Sequence, residues 1–204
     1  MGKRFLMTHS LLSSWMWAMK ENPFEDMTSE KDSLADFLST LRREPIPTTE
    51  AMQKGIDFED LVTDIMLGRG DASDKWYEAA YEVASIVKGG QLQYRAAKEI
   101  EVRGRKILLY GRLDALKAGT VYDVKFSGSY DKGKYIDSTQ HPTYLTIVPE
   151  AKQFTYLVSN GSQVWKETYL REETADIIPT IEDFLDWLVQ QELIATYEEY
   201  WLAK

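Results

Sequence analysis

The sequence predicts an α/β (α+β) fold, a mixed β-sheet flanked by helices with a mostly helical N-terminal region. Three observations predict it. Residues 1–90 place apolar side chains at helical spacing, residues 91–127 switch to a period of two, and the chain closes on a long acidic amphipathic stretch. With 204 residues, 44% of them hydrophobic and 28% charged, the chain reads as a single domain over 1–204. Within it, 1–90 is the mostly helical part, 91–170 the sheet core with its hairpin, and 171–204 the C-terminal acidic helix.

The elements follow in order. Thr8-His9-Ser10 caps a helix through "LLSSWMWAMKEN" that Pro23 ends. A second follows Ser29, with Leu34, Phe37, Leu38 and Leu41 as its apolar stripe, and Pro45 and Pro47 mark a break. The third, from about 48 to 67, ends at Gly68-Arg69-Gly70, and the fourth, from about 73 to 87, at Gly89-Gly90. Strands are expected near 92–103, 105–115 and 120–127, the last two joined across Lys117-Ala118-Gly119-Thr120 as a hairpin. A short helix near 137–148, capped by Asp137 or Ser138, tolerates Pro142 in its first turn. The runs "QFTYLVS" and "QVWKETYL" then read as strands joined by Asn160-Gly161. From about Glu173, Ile177, Ile181, Phe184, Leu185 and Leu188 recur at helical spacing.

Composition excludes several functions. The chain has no cysteine, which removes disulfides, cysteine nucleophiles, zinc ribbons and iron–sulfur clusters. Its two histidines, His9 and His141, cannot build a histidine-rich zinc site, and His141, which could touch DNA beside Gln140, reads rather as a surface residue in the first turn of its helix. No apolar run approaches the ~18 residues of a membrane span and no signal-peptide core opens the chain, so a cytoplasmic protein with no membrane partner is expected. The six tryptophans read as core. The net charge of −9 argues against a phosphate-rich partner. Between Lys88 and Lys134, however, eleven lysines and arginines stand against five acids, as one DNA-facing surface would require.

The chemistry concentrates in the hairpin. Alternation puts Tyr122, Val124 and Phe126 on one face, read as the core face, and Val121, Asp123 and Lys125 on the other, with Asp114 just across the turn. Two hard oxygen ligands beside an ammonium suit Mg²⁺ or Mn²⁺. Such an ion activates water and neutralises charge on a phosphodiester, and the lysine can orient or deprotonate that water. A salt bridge on an exposed sheet face is the plain alternative. In "KGIDFEDLV", Glu59 falls at the edge of a stripe made by Met52, Ile56, Val62 and Met66, with Gly55 one turn earlier to permit a close approach. The plain alternative there is a solvated carboxylate. Gln140 and Tyr144, four apart on one helical face and preceded by Lys132 and Lys134, are suited to phosphates or base edges.

The series Gly55-x-x-x-Glu59, Gly111-x-x-Asp114, Asp123-x-Lys125 and Gln140-x-x-x-Tyr144 resembles the PD-(D/E)XK nuclease superfamily over roughly residues 50–160. The similarity is to its RecB-type and lambda exonuclease-like phage branch. The resemblance implies a restriction endonuclease-like core in which Glu59, Asp114 and Asp123 hold Mg²⁺ (or Mn²⁺) and Lys125 assists the attacking water. Gln140 and Tyr144, with Lys132 and Lys134, would place DNA. It further implies a deoxyribonuclease, an exonuclease of phage or prophage recombination or repair. Its partners would be DNA and a single-strand-binding or annealing protein, and it could form a homo-oligomer. The opening "THSLLSSWMWAMKENPF" is similar to the first segment of iron–sulfur members, but Asn22 stands where they have cysteine, so no cluster is implied. Glu59 departs from the histidine common in RecB-type members, and Asp123 from the commoner glutamate. Gln153 and Tyr156 repeat the last motif within an expected strand and are set aside in favour of Gln140 and Tyr144. The competing reading is a catalytically inactive DNA-binding or assembly protein that keeps the fold.

Overall fold

The structure is a computed structural model, and it describes residues 2–20 and 33–203. Ser29, Pro23 and Asn22, on which the expected start of the second helix, the end of the first and the missing cysteine fall, lie outside the described residues.

Among the described residues, seven helices flank a six-stranded mixed sheet. The N-terminal part is mostly helical as expected, with one strand the sequence did not announce. Strand β1 (Arg4–Met7) comes first and pairs in parallel with the later β3, Phe5 opposite Ile107. Four residues are too few to carry a periodic signal, and the partner lies about a hundred positions on. Helix α1 (His9–Met19) follows, its first turn capped by the Thr8 side chain accepting from the Leu11 N–H. Next come α2 (Ser33–Leu41), α3 (Glu50–Met66), capped by Thr49, and α4 (Tyr77–Val87).

Strands β2 (Gln91–Val102) and β3 (Arg105–Lys117) form an antiparallel ribbon. They meet at a two-residue turn of Arg103 and Gly104, with φ of 50° and 69°. β4 (Thr120–Phe126) returns through Ala118 and Gly119 and pairs with β3 only over Ala115–Lys117. Because β2 takes one edge of β3 along nearly its whole length, β1 and β4 share the other edge. They sit at opposite ends, Lys106–Leu109 and Ala115–Lys117, and leave Tyr110–Asp114 without a strand on that side. β4 then runs parallel to β5 (Gln153–Ser159), which pairs antiparallel with β6 (Val164–Leu170) across the expected Asn160-Gly161 turn.

Helix α5 (Gln140–Ile147) lies over the fork between β3 and β4. Asp137 does not cap it, and the N-cap position is Thr139, whose hydroxyl donates to the His9 carbonyl (2.9 Å), while the expected Ser138 hydroxyl accepts from the Gln140 N–H (3.2 Å). The expected single terminal helix is two, α6 (Ile178–Gln190) and α7 (Ile194–Tyr200), parted at Glu192, whose φ is 58°.

The burial pattern revises three faces. Both sides of β4 are covered. Val121 packs into the main core with α5, while Tyr122, Val124 and Phe126 pack into a second cluster with α3 and α4. Asp123 therefore points toward the larger core rather than away from it. On α3 the buried positions are Phe58 and Val62, while Met52 and Ile56 are exposed. Open space surrounds the position of a Cβ at Gly55, so no close approach explains that glycine. Five of the tryptophans are at least partly buried, but Trp17 is 69% exposed. Among the described residues, no helix is long and apolar enough to cross a membrane.

Candidate active site

The fork in the sheet positions the site. Where β4 leaves β3, the Asp114 carboxylate replaces the missing ladder bond: its Oδ2 accepts from the Val124 N–H at 2.7 Å. Further back along the unpaired edge, the Arg112 carbonyl accepts from the Tyr144 hydroxyl (3.1 Å). The Tyr144 ring lies so close on Gly111 that any Cβ there would collide with it. This is the physical reason for glycine at that point of the Gly-x-x-Asp motif.

Asp123 is 4% exposed. Its Oδ1 accepts from Gln140 Nε2 at 2.5 Å, so the first residue of α5 is aimed at the middle of β4. Its Oδ2 stands 2.7 Å from Lys125 Nζ, an ion pair whose angles fall short of a hydrogen bond, and is otherwise buried without a partner. Burial works against a charged Lys125. Asp123 outweighs it, with Asp114 adding to the effect, and the ammonium is held above the ordinary lysine range. Asp114 is pushed well above the usual carboxylate range, first by burial and then by the like charges of Asp123 and Glu59. Glu59 thus stands near enough to Asp114 for its charge to act there, although α3 packs on the Tyr122–Phe126 side of β4 and Asp123 faces the other. Glu59 is itself held by Gln93 Nε2 (2.9 Å).

The structure brings Asp114, Asp123, Lys125 and Gln140 together, and leaves Glu59 on α3 within reach of Asp114 alone. Among the described residues, however, no three acidic or histidine side chains stand so as to hold one ion as they are placed. The fit to a divalent cation rests on chemistry: three hard oxygen donors, a buried carboxylate oxygen that meets only the Lys125 ammonium, and one carboxylate penalised by both others.

The expected DNA-placing residues divide differently. Gln140 and Tyr144 are buried, their polar ends committed to Asp123 and to the Arg112 carbonyl, so they brace the site from within instead of offering groups at a surface. Gln153 donates to Thr120 at the start of β5 and Tyr156 is fully buried, which leaves the choice of Gln140 standing. Lys132 is exposed, whereas Lys134 donates to Ser127 Oγ (2.7 Å) and the Ser129 carbonyl (3.2 Å) within its own loop. That loop is pinned by Glu167, which accepts from the Tyr130 and Tyr169 hydroxyls and from the Gly133 and Tyr135 N–H groups. Burial opposes its charge, but these donors hold its carboxyl below the ordinary range.

Two residues escaped the sequence reading. Gln93, at φ 50°, falls between ladder pairs in the β2–β3 register and carries Glu59. Counting back from the Arg103-Gly104 turn would have found it. His9 packs edge-on against Tyr144 with ring centroids 5.3 Å apart. Burial, and the charge of Lys125, lower its pKa to about 4, against the pull of Asp123, so a neutral imidazole borders the site. His141, read as a surface residue, is buried and stacks on Tyr169 at 4.0 Å.

No protein-family model matches the chain, and no curated protein matches it. Fourteen chains of solved structures do. One, described as "Crystal structure of SSO0001", is 15% identical with a TM-score of 0.49, the match covering 94% of this chain and 79% of that one.

Proposed function

We propose that the chain is a Mg²⁺-dependent deoxyribonuclease with a restriction endonuclease-like core of the PD-(D/E)XK type, acting as an exonuclease in DNA recombination or repair. The observation that carries this reading is the buried Asp123 carboxylate, held between Gln140 and Lys125, with Asp114 close enough to feel its charge and that of Glu59. Gathering carboxylates around a buried one is costly unless a cation compensates them. The ordered motif series supports the same reading.

Glu59, Asp114 and Asp123 would hold the cation. When bound, Mg²⁺ supplies Lewis acidity toward a phosphoryl oxygen and lowers the pKa of water. The chain's own residues do the rest. Lys125, kept protonated by Asp123, is a donor and a positive charge for the phosphodiester, and is not a base in this state. Gln140 fixes the rotamer of Asp123, and Gln93 fixes Glu59. The competing reading, a DNA-binding or assembly protein without catalysis, is favoured by one observation: the three carboxylates do not close on a common ion position.

End-labelled linear DNA and covalently closed circular DNA, each incubated with and without Mg²⁺, separate these readings. Loss of label from linear DNA alone, only with Mg²⁺, is the expected result. Cleavage of the circle would make the protein an endonuclease. Binding without cleavage would favour the inactive reading.

A further inference from the structure

The basic segment is not one surface. Arg103 forms ion pairs with Glu182 and Asp186 of α6, and Arg105 with Glu198 of α7, so the acidic C-terminal helices neutralise that end of the ribbon. Arg95 and Arg112 are different. They stand directly opposite each other in the β2–β3 register, and both are exposed. Among the described residues neither guanidinium has an ion pair or a hydrogen bond. Like charges directly opposite on a sheet destabilise it. A stable fold has no use for such a pair, which points to an anion that completes it.

The position indicates which anion. Residues two apart along a strand share a face, so Asp114 follows Arg112 on β3, while on β2 Arg95 is followed by Gln93, which falls between the ladder pairs Leu92–Ala115 and Tyr94–Leu113. Gln93 carries Glu59 at its end. At a rise of about 3.4 Å per residue, Asp114 follows Arg112 along β3 by ~7 Å. The opposite face of the ribbon packs into the main core through Tyr94, Ala96, Leu109 and Leu113, leaving this one open. Guanidinium groups match phosphate geometry with paired N–H donors.

We propose that Arg95 and Arg112 form a phosphate-binding site that grips the DNA backbone beside the carboxylate cluster. The inference rests on the nuclease reading for the identity of its ligand. The site is independent of sequence, since it reads phosphates and no base edges.

The test is binding of a labelled duplex in EDTA, measured by anisotropy across a salt series. The parent chain is compared with the Arg95→Gln/Arg112→Gln double variant and a control with two exposed lysines elsewhere changed, Lys3→Gln/Lys152→Gln. Each phosphate contact contributes about 0.9 to the slope of log K against log salt, so the double variant should lose about 0.9 of that slope if the pair grips one phosphate and about 1.8 if it spans two, and bind more weakly on every sequence. Its melting temperature should stay level or rise, because a repulsion is removed. The control should keep the parent's slope. An unchanged slope in the double variant, an equal loss in the control or a lowered melting temperature in the double variant would overturn the proposal, as would a parent that does not bind DNA. A parent that binds DNA through these arginines but never cleaves it would end the nuclease reading and leave the phosphate site standing.

Discussion

Asp123 is the side chain on which the site's contacts converge. It is buried, ionically paired to Lys125 and hydrogen-bonded to Gln140, and its charge weighs on Asp114. Removing Lys125 therefore has two consequences. Lys125→Ala leaves a buried carboxylate without its counter-charge, which should cost about 1–3 kcal/mol, below the usual value for a fully buried pair because the lysine is 33% exposed. At temperatures where the variant is folded, turnover should fall on the order of a hundredfold, as for other preorganised charge-stabilising groups. Thermal melts and single-turnover rates separate the two effects. Equal rates in variant and parent would reduce the lysine to a structural partner. Gln93 offers the reverse combination. Glycine adopts φ 50° freely, so Gln93→Gly should change stability by less than about 1 kcal/mol. It also frees Glu59, and turnover should drop roughly tenfold or more. The two hairpin aspartates and their lysine were legible in the sequence because strand alternation is local. The tie from Gln93 to Glu59 was not, because it joins residues 34 positions apart on a helix and a strand.

At the scale of elements, α3 makes the clearest prediction. Gly55 sits within the helix with open space where a Cβ would point, so it neither relieves a clash nor serves a turn. Gly55→Ala should raise stability by about 1 kcal/mol without altering DNA cleavage, as read from denaturant midpoints and rates. Lost activity in a stabilised variant would mean that a ligand needs this space. Strand and hairpin boundaries were readable because Arg103-Gly104 and Ala118-Gly119 adopt positive φ on schedule. The faces of β4 were not. The sequence alternation is the same whether one side is covered or both, and only the tertiary placement of α5 on one side and α3 on the other decides it. The break in the terminal helix at Glu192 also went unread, since Gln191-Glu192 carries no glycine or proline.

At the scale of the whole molecule, the acidic C-terminal helices fold back on the basic ribbon, and α5 ties the N-terminal helix to the sheet through Thr139. The folded state holds His141 neutral. Burial lowers its pKa from 6.5 to about 4, against the opposing pull of Glu167. A depressed folded pKa means that stability is full above pH 6.5 and is lost as the pH falls toward 4. The loss traceable to His141 should be about 2–3 kcal/mol. His141→Phe, which keeps a ring against Tyr169, should flatten that part of the profile in denaturant titrations at pH 7 and pH 4.5. A profile as steep as the parent's would assign the pH dependence elsewhere. Mixed topology and the order of motifs were legible along the chain, whereas the meeting of β1, α3 and α5 around one fork depends on contacts far apart in sequence. The most direct test of the central claim is hydrolysis of end-labelled linear duplex DNA in Mg²⁺ by the parent chain and by Asp123→Asn, with EDTA as the reference. Mg²⁺-dependent release of label by the parent, abolished in Asp123→Asn although the variant still binds DNA, is the predicted result. Release that is unchanged in Asp123→Asn, or absent from a folded parent that binds DNA in Mg²⁺, would contradict it.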